Sequence, residues 1–88
     1  MALVNSLNNK YVMGGLVIEE HTWIEDAADT SGDLTLSTNS PLIGEVICAI
    51  PSNDIGANLV MATLTGNTVT LTYTAGDTGR VTVIGKAV

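Results

Sequence analysis

The chain has 88 residues, a formal net charge of −6 and a mean hydropathy of +0.36, with 45% hydrophobic residues and no Phe. That length fits one domain, and the apolar content exceeds what so small a monomer easily hides. Its three cations, Lys10, Arg80 and Lys86, cannot build a basic patch, so neither nucleic acid nor an anionic membrane surface is an expected partner.

Residues 1–10 hold three asparagines and a serine around Leu3, Val4 and Leu7, with no sustained alternation and no helix cap. They read as an N-terminal arm ordered by a neighbouring molecule, with helix over 2–8 as the other choice. The domain proper then spans 11–88. Residues 11–26 form the first strand region, divided by a bend or bulge at Gly14-Gly15. Over 16–25, Leu16, Ile18 and Ile24 share one face, and Val17, His21 and Trp23 share the other. Neither face is purely polar, which suits a strand touching protein on both sides.

A loop follows over 26–32, and a short strand over 33–38 puts Leu34 and Leu36 inward. Asn39-Ser40-Pro41 is a turn. The most apolar strand, 42–50, lacks clean alternation, as expected of a strand covered on both faces. A second loop occupies 51–56.

The strongest local signal lies over 58–74. Thr68, Thr70, Thr72 and Thr74 alternate with Val69, Leu71 and Tyr73. Gly66-Asn67 suits a two-residue hairpin loop with φ > 0 at glycine. Closing there pairs Thr65 with Thr68, Leu64 with Val69, Thr63 with Thr70 and Ala62 with Leu71, and puts Val60 opposite Tyr73. A one-residue slip would mix the faces. Residues 75–79 form the next turn. An odd loop there sets Tyr73 against Val81 and Leu71 against Val83, which predicts a C-terminal meander with 80–88 as its last strand. The expected fold is all-β: a small antiparallel sandwich or barrel of about six short strands, with the extended N-terminal arm.

Candidate chemistry is sparse. Glu19, His21 and Glu25 share a strand face, but one histidine does not complete a metal site, and a solvated or interface face is expected. Asp26, Asp29 and Asp33 are too sparse for a calcium loop. Cys48, the only cysteine, excludes an intrachain disulfide and zinc-finger sites, and reads as a buried, inert thiol. Gly14-Gly15 precedes a strand, so it is no phosphate loop. Five threonines, Thr63, Thr68, Thr70, Thr72 and Thr82, would line one side of the C-terminal sheet, where β propensity accounts for them. No catalytic residue, metal ligand or cofactor site is expected, and the chain reads as no enzyme. No apolar run approaches the ~18–20 residues of a membrane span, and the start lacks a signal-peptide layout. Contact with other chains is expected from the arm, Tyr11 and the lone tryptophan, that is Leu3, Val4, Leu7, Tyr11 and Trp23, with core filling as the equal alternative for Trp23.

A polar arm, short strands and a Thr/Val-rich ending, GNTVTLTYTAGDTGRVTVIGKAV, together resemble small virion proteins of tailed bacteriophages, the capsid decoration or cement class. The resemblance implies a non-enzymatic viral structural protein, made in the host cytoplasm and placed on the outer capsid surface. It would act as a homo-oligomer, trimer favoured, with the major capsid protein as its partner, and would stabilise the capsid by cross-bridging subunits. The alternative is an oligomeric tail- or fibre-associated module that recognises a receptor or carbohydrate.

Overall fold

The computed structural model describes residues 3–24, 30–34, 43–55 and 58–87. Among them are seven strands and no helix. In chain order these are β1 (Val4–Met13), β2 (Leu16–Ile24), β3 (Ser31–Asp33), β4 (Ile43–Asn53), β5 (Met61–Thr65), β6 (Thr68–Thr72) and β7 (Thr78–Ala87). They form two antiparallel sheets, one in the order β1-β2-β7-β4 and one in the order β3-β6-β5. The all-β, sandwich-like expectation holds, with one strand more than foreseen.

The β5–β6 hairpin has the register derived from sequence, from Thr65↔Thr68 through Ala62↔Leu71 to Met61↔Thr72. Gly66 sits at φ +58, as a glycine-first two-residue turn requires. Val69, Leu71 and Tyr73 point into the core, while Thr63, Thr68 and Thr72 are exposed.

The meander fails at its third strand. β7 pairs with β2 and β4 and lies in the other sheet, taking Thr82 away from the threonine face. The corner is pinned by Asp77, a buried carboxylate that accepts hydrogen bonds from Asn53 Nδ2 (2.6 Å) and Asn58 Nδ2 (3.2 Å). The facing of the side chains survives the change. Val81 and Val83 are buried against the same cluster as Val69, Leu71 and Tyr73, but across the sandwich instead of beside them. An odd spacing keeps odd-numbered residues inward in either topology.

The N-terminal arm is also corrected. From Val4 on, these residues form β1, an edge strand paired with β2 from Val4↔Ile24 to Met13↔Leu16. Asparagine is a poor strand former, but here its side chains bind the neighbouring strand. Asn8 Nδ2 donates to Thr22 Oγ1 (2.6 Å) and Asn9 Nδ2 to Glu20 Oε1 (3.4 Å). A register shift between Leu7 and Asn9 breaks the alternation that would have marked the strand. Gly14-Gly15, read as a bend, is the two-residue turn that closes this hairpin, with Gly14 at φ +63.

β4 is not covered on both faces. It is an edge strand, and Ile47 and Ile50 are 47% and 60% exposed. Its alternation is broken by two register shifts, between Ile43 and Glu45 and between Val46 and Cys48. The strand runs on through Pro51, which an edge tolerates because no second neighbour needs its N–H. The strand expected over 33–38 begins earlier, at Ser31. Leu34 is buried as foreseen, whereas Leu36, the Asn39-Ser40-Pro41 turn and most of the 26–32 loop lie outside the described residues.

The core gathers Leu3, Trp23, Leu34, Val46, Val69, Leu71, Tyr73, Val81 and Val83. At Gly79 the sheets leave no room for a side chain: a Cβ would overlap the Ser52 carbonyl oxygen and stand 2.8 Å from the Trp23 ring. Leu71→Ala is expected to cost about 2–5 kcal/mol, and Thr68→Ala on the opposite face under ~0.5 kcal/mol. Urea unfolding of the two variants measures the difference, and equal losses would contradict the facing.

Candidate interaction surface

β2 presents one face to the interior and one outward. On the inner face Val17, Glu19, His21 and Trp23 are all essentially buried. The Glu19–His21 face, expected to be solvated or at an interface, is buried within the chain's own fold. Residues 4–10, expected to be an arm, belong to β1, and from that strand the Asn5 and Lys10 side chains reach this pair. Asn5 Nδ2 lies 3.0 Å from His21 Nδ1. An amide nitrogen only donates, so Nδ1 accepts, and Nε2–H donates to Glu19 Oε1 at 2.8 Å. Lys10 Nζ stands 3.5 Å from Glu19 Oε2. The result is a row, Asn5–His21–Glu19–Lys10, that joins β1 to β2 with a cation beside the buried carboxylate.

Chemically this row is a clamp. His21 is 1% exposed and Glu19 0%, so no substrate reaches either. Glu25, Asp26 and Asp29 lie outside the described residues. Asp33 accepts the Thr70 hydroxyl at 2.6 Å. Among the described residues no cluster of three or more His, Cys, Asp or Glu could hold a metal ion. Among the described residues no helix is long and apolar enough to cross a membrane.

The residues expected to contact other chains divide. Leu3 is 8% exposed and packs in the subunit's own core against Gly32 of β3, and Trp23 is fully buried. Both therefore leave the contact set. Val4 is placed by its backbone, opposite Ile24, and its side chain lies outside what is described. Leu7 and Tyr11 remain accessible at 38% and 49%.

Tyr11 belongs to a larger surface. Its ladder partner is Ile18, which pairs with Ile84, which pairs with Cys48. Directly opposed residues in antiparallel strands share a face, so these four cross the outer face of the four-stranded sheet in one row. Met13 (62% exposed) and Ile50 (60%) flank it. Cys48 is a half-buried free thiol in this row, not the fully buried one expected. Next to the row, Glu20, Ile50, Pro51, Ser52, Arg80 and Thr82 line an open depression of about 220 Å³. Both cations on this face are paired, Arg80 with Asp54 (Nε–Oδ2 3.2 Å) and Lys86 with Glu45 (3.6 Å), while Glu20 accepts from the Asn9 amide. Sequence hinted at the surface through the apolar Leu16, Ile18 and Ile24. Ile84 and Cys48 could join it only once the β7 pairings were known.

Comparison of the chain with protein-family models, curated protein sequences and solved structures finds no match.

Two stability outcomes follow from the clamp and from β1. His21→Ala leaves the buried Glu19 carboxylate with Lys10 but without its imidazole donor and should cost about 1–3 kcal/mol. A loss under ~1 kcal/mol in chemical denaturation would show the row to be open to water. Deleting residues 1–9 removes Leu3 and most of β1. It should abolish cooperative unfolding in circular dichroism, where a detachable arm would leave it intact.

Proposed function

We propose that this chain is a non-enzymatic structural virion protein that binds the outside of a phage capsid as an oligomer, trimer favoured, and stabilises it by cross-bridging subunits. The observation that carries this reading is the apolar row across one outer sheet face of a subunit whose interior already has its own core. Single exposed apolar residues are ordinary, but a contiguous row across four strands marks a surface made for protein. The net charge of −6 favours the outer side of a capsid, since a genome-facing protein would carry basic residues. Stabilisation would be additive, with modest contact energy per copy multiplied over many lattice sites. The buried Glu19–His21 pair supports a structural role over a catalytic one. A carbohydrate-binding tail module is less well supported. Trp23 and Tyr73 lie in the core, leaving Tyr11 as the accessible aromatic for stacking on a sugar.

The experiment is quantitative mass spectrometry of purified particles of the encoding phage. A copy number on the order of hundreds per particle is expected of a lattice-covering protein. A few copies would place the chain at the neck or tail, and absence from the particle would end the reading.

A further inference from the structure

We infer that the outer face of the four-stranded sheet is where copies of this chain cover one another, three around a common axis, with Tyr11, Ile18, Ile84 and Cys48 facing that axis. This rests on the self-association in the proposed function and names its surface.

Three observations point to a further copy as the occupant. The first is charge. A chain of net −6 repels itself, but this face holds two of its three cations, Arg80 and Lys86, each beside a carboxylate. Against these two cations stand the carboxylates of Glu20, Glu45 and Asp54, so the face holds one net negative charge of the chain's six and copies meeting here repel each other little. The second is size. Four strands ~4.8 Å apart make a face about 19 Å wide, and nine residues make it roughly 30 Å long. Its plan area of roughly 570 Å² per copy exceeds 1,000 Å² for two, the scale a stable interface needs. The third is closure. Three faces about 19 Å wide, set as the sides of a triangular prism, each stand ~5.5 Å from its axis, about half the ~10 Å between packed sheets. One layer of side chains from each copy then fills the centre.

The edges decide between three copies and a two-fold stack. β1 and β4, 10 and 11 residues long, are the two margins of this sheet. Among the described residues the far side of β4 is met by the Asn67 side chain, which accepts from Val46 N and donates to the Gly44 carbonyl. Long edges invite further pairing. A prism sets the β1 margin of each copy beside the β4 margin of the next, whereas a two-fold stack leaves both open.

The test uses the whole chain and its native thiol. Sedimentation equilibrium of the wild type should give about three times the 9.1 kDa subunit mass. Modification of Cys48 by N-ethylmaleimide should be about tenfold slower in the assembled protein than at the lowest concentrations, where it dissociates. Ile84→Glu should give a folded monomer, checked by circular dichroism, whose thiol reacts at the dissociated rate. Thr63→Glu, with the same added charge on the exposed threonine face, should assemble as the wild type does. Ile18→Glu serves as the second variant if Ile84→Glu fails to fold. Normal assembly of the folded Glu variants, or an equally fast thiol in the assembled wild type, would overturn this surface while leaving capsid binding intact. A wild type that stays monomeric at high concentration would overturn self-association itself. Particle mass spectrometry judges the virion reading separately.

Discussion

The fold hangs on one contact between its sheets. Trp23 of β2 stacks on Tyr73, just past β6, with ring centroids 5.3 Å apart and planes 22° from parallel. The chain has one Trp, two Tyr and no Phe, so two of its three aromatic rings meet here. Each buries on the order of 150–250 Å², and the stack adds roughly 0.5–1.5 kcal/mol beyond that area. Other features follow from it. The indole N–H donates to the Arg80 carbonyl at 3.3 Å, and the Trp23 carbonyl accepts the Thr78 hydroxyl at 2.7 Å, fixing β7 against β2. Gly79 is bare because the indole and the Ser52 carbonyl occupy the space of a side chain. Leu3 closes the same region through Gly32, which also lies beside the Tyr73 hydroxyl.

What was legible in the sequence was local. The β5–β6 hairpin was readable because a two-residue glycine turn and a period-two pattern fix one register together. The inward set Val69, Leu71, Tyr73, Val81 and Val83 was readable for the same reason of parity. The crossing of β7 was not. A hairpin partner and a strand in the facing sheet present their odd residues to the same core, so the pattern cannot separate them. The difference lies in the buried Asp77 and the asparagines that bind it, one at the end of β4 and one ahead of β5. β1 escaped notice because it is held by asparagine side chains and a register shift, not by an apolar stripe.

The candidate site shows the same division. That Glu19 and His21 share a face followed from strand period alone. That the face is buried depended on β1, and reading β1 as an arm left the pair open to water. The pair then looked like a surface site, when its partners across the ladder make it a clamp. The outer row is the opposite case. Ile18 was on the correct face from the start, and its significance appears only when β7 and β4 bring Ile84 and Cys48 into line with it.

The two outer faces of the sandwich are therefore unlike. The β3-β6-β5 sheet turns Thr63, Thr68 and Thr72 to water with the exposed Met61 among them, a mostly polar surface that satisfies β propensity. The β1-β2-β7-β4 sheet carries apolar residues on both sides: Val17, Val81 and Val83 inside, beside the buried Glu19–His21 pair, and Ile18 and Ile84 outside. The inside is covered within the subunit, so the outer residues are not needed to complete the core. In the assembly proposed above their burial would come from contacts between copies, with the ion pairs at Arg80 and Lys86 tempering the acidic charge of the chain. On that proposal the chain folds on one face of its larger sheet and meets further copies through the other.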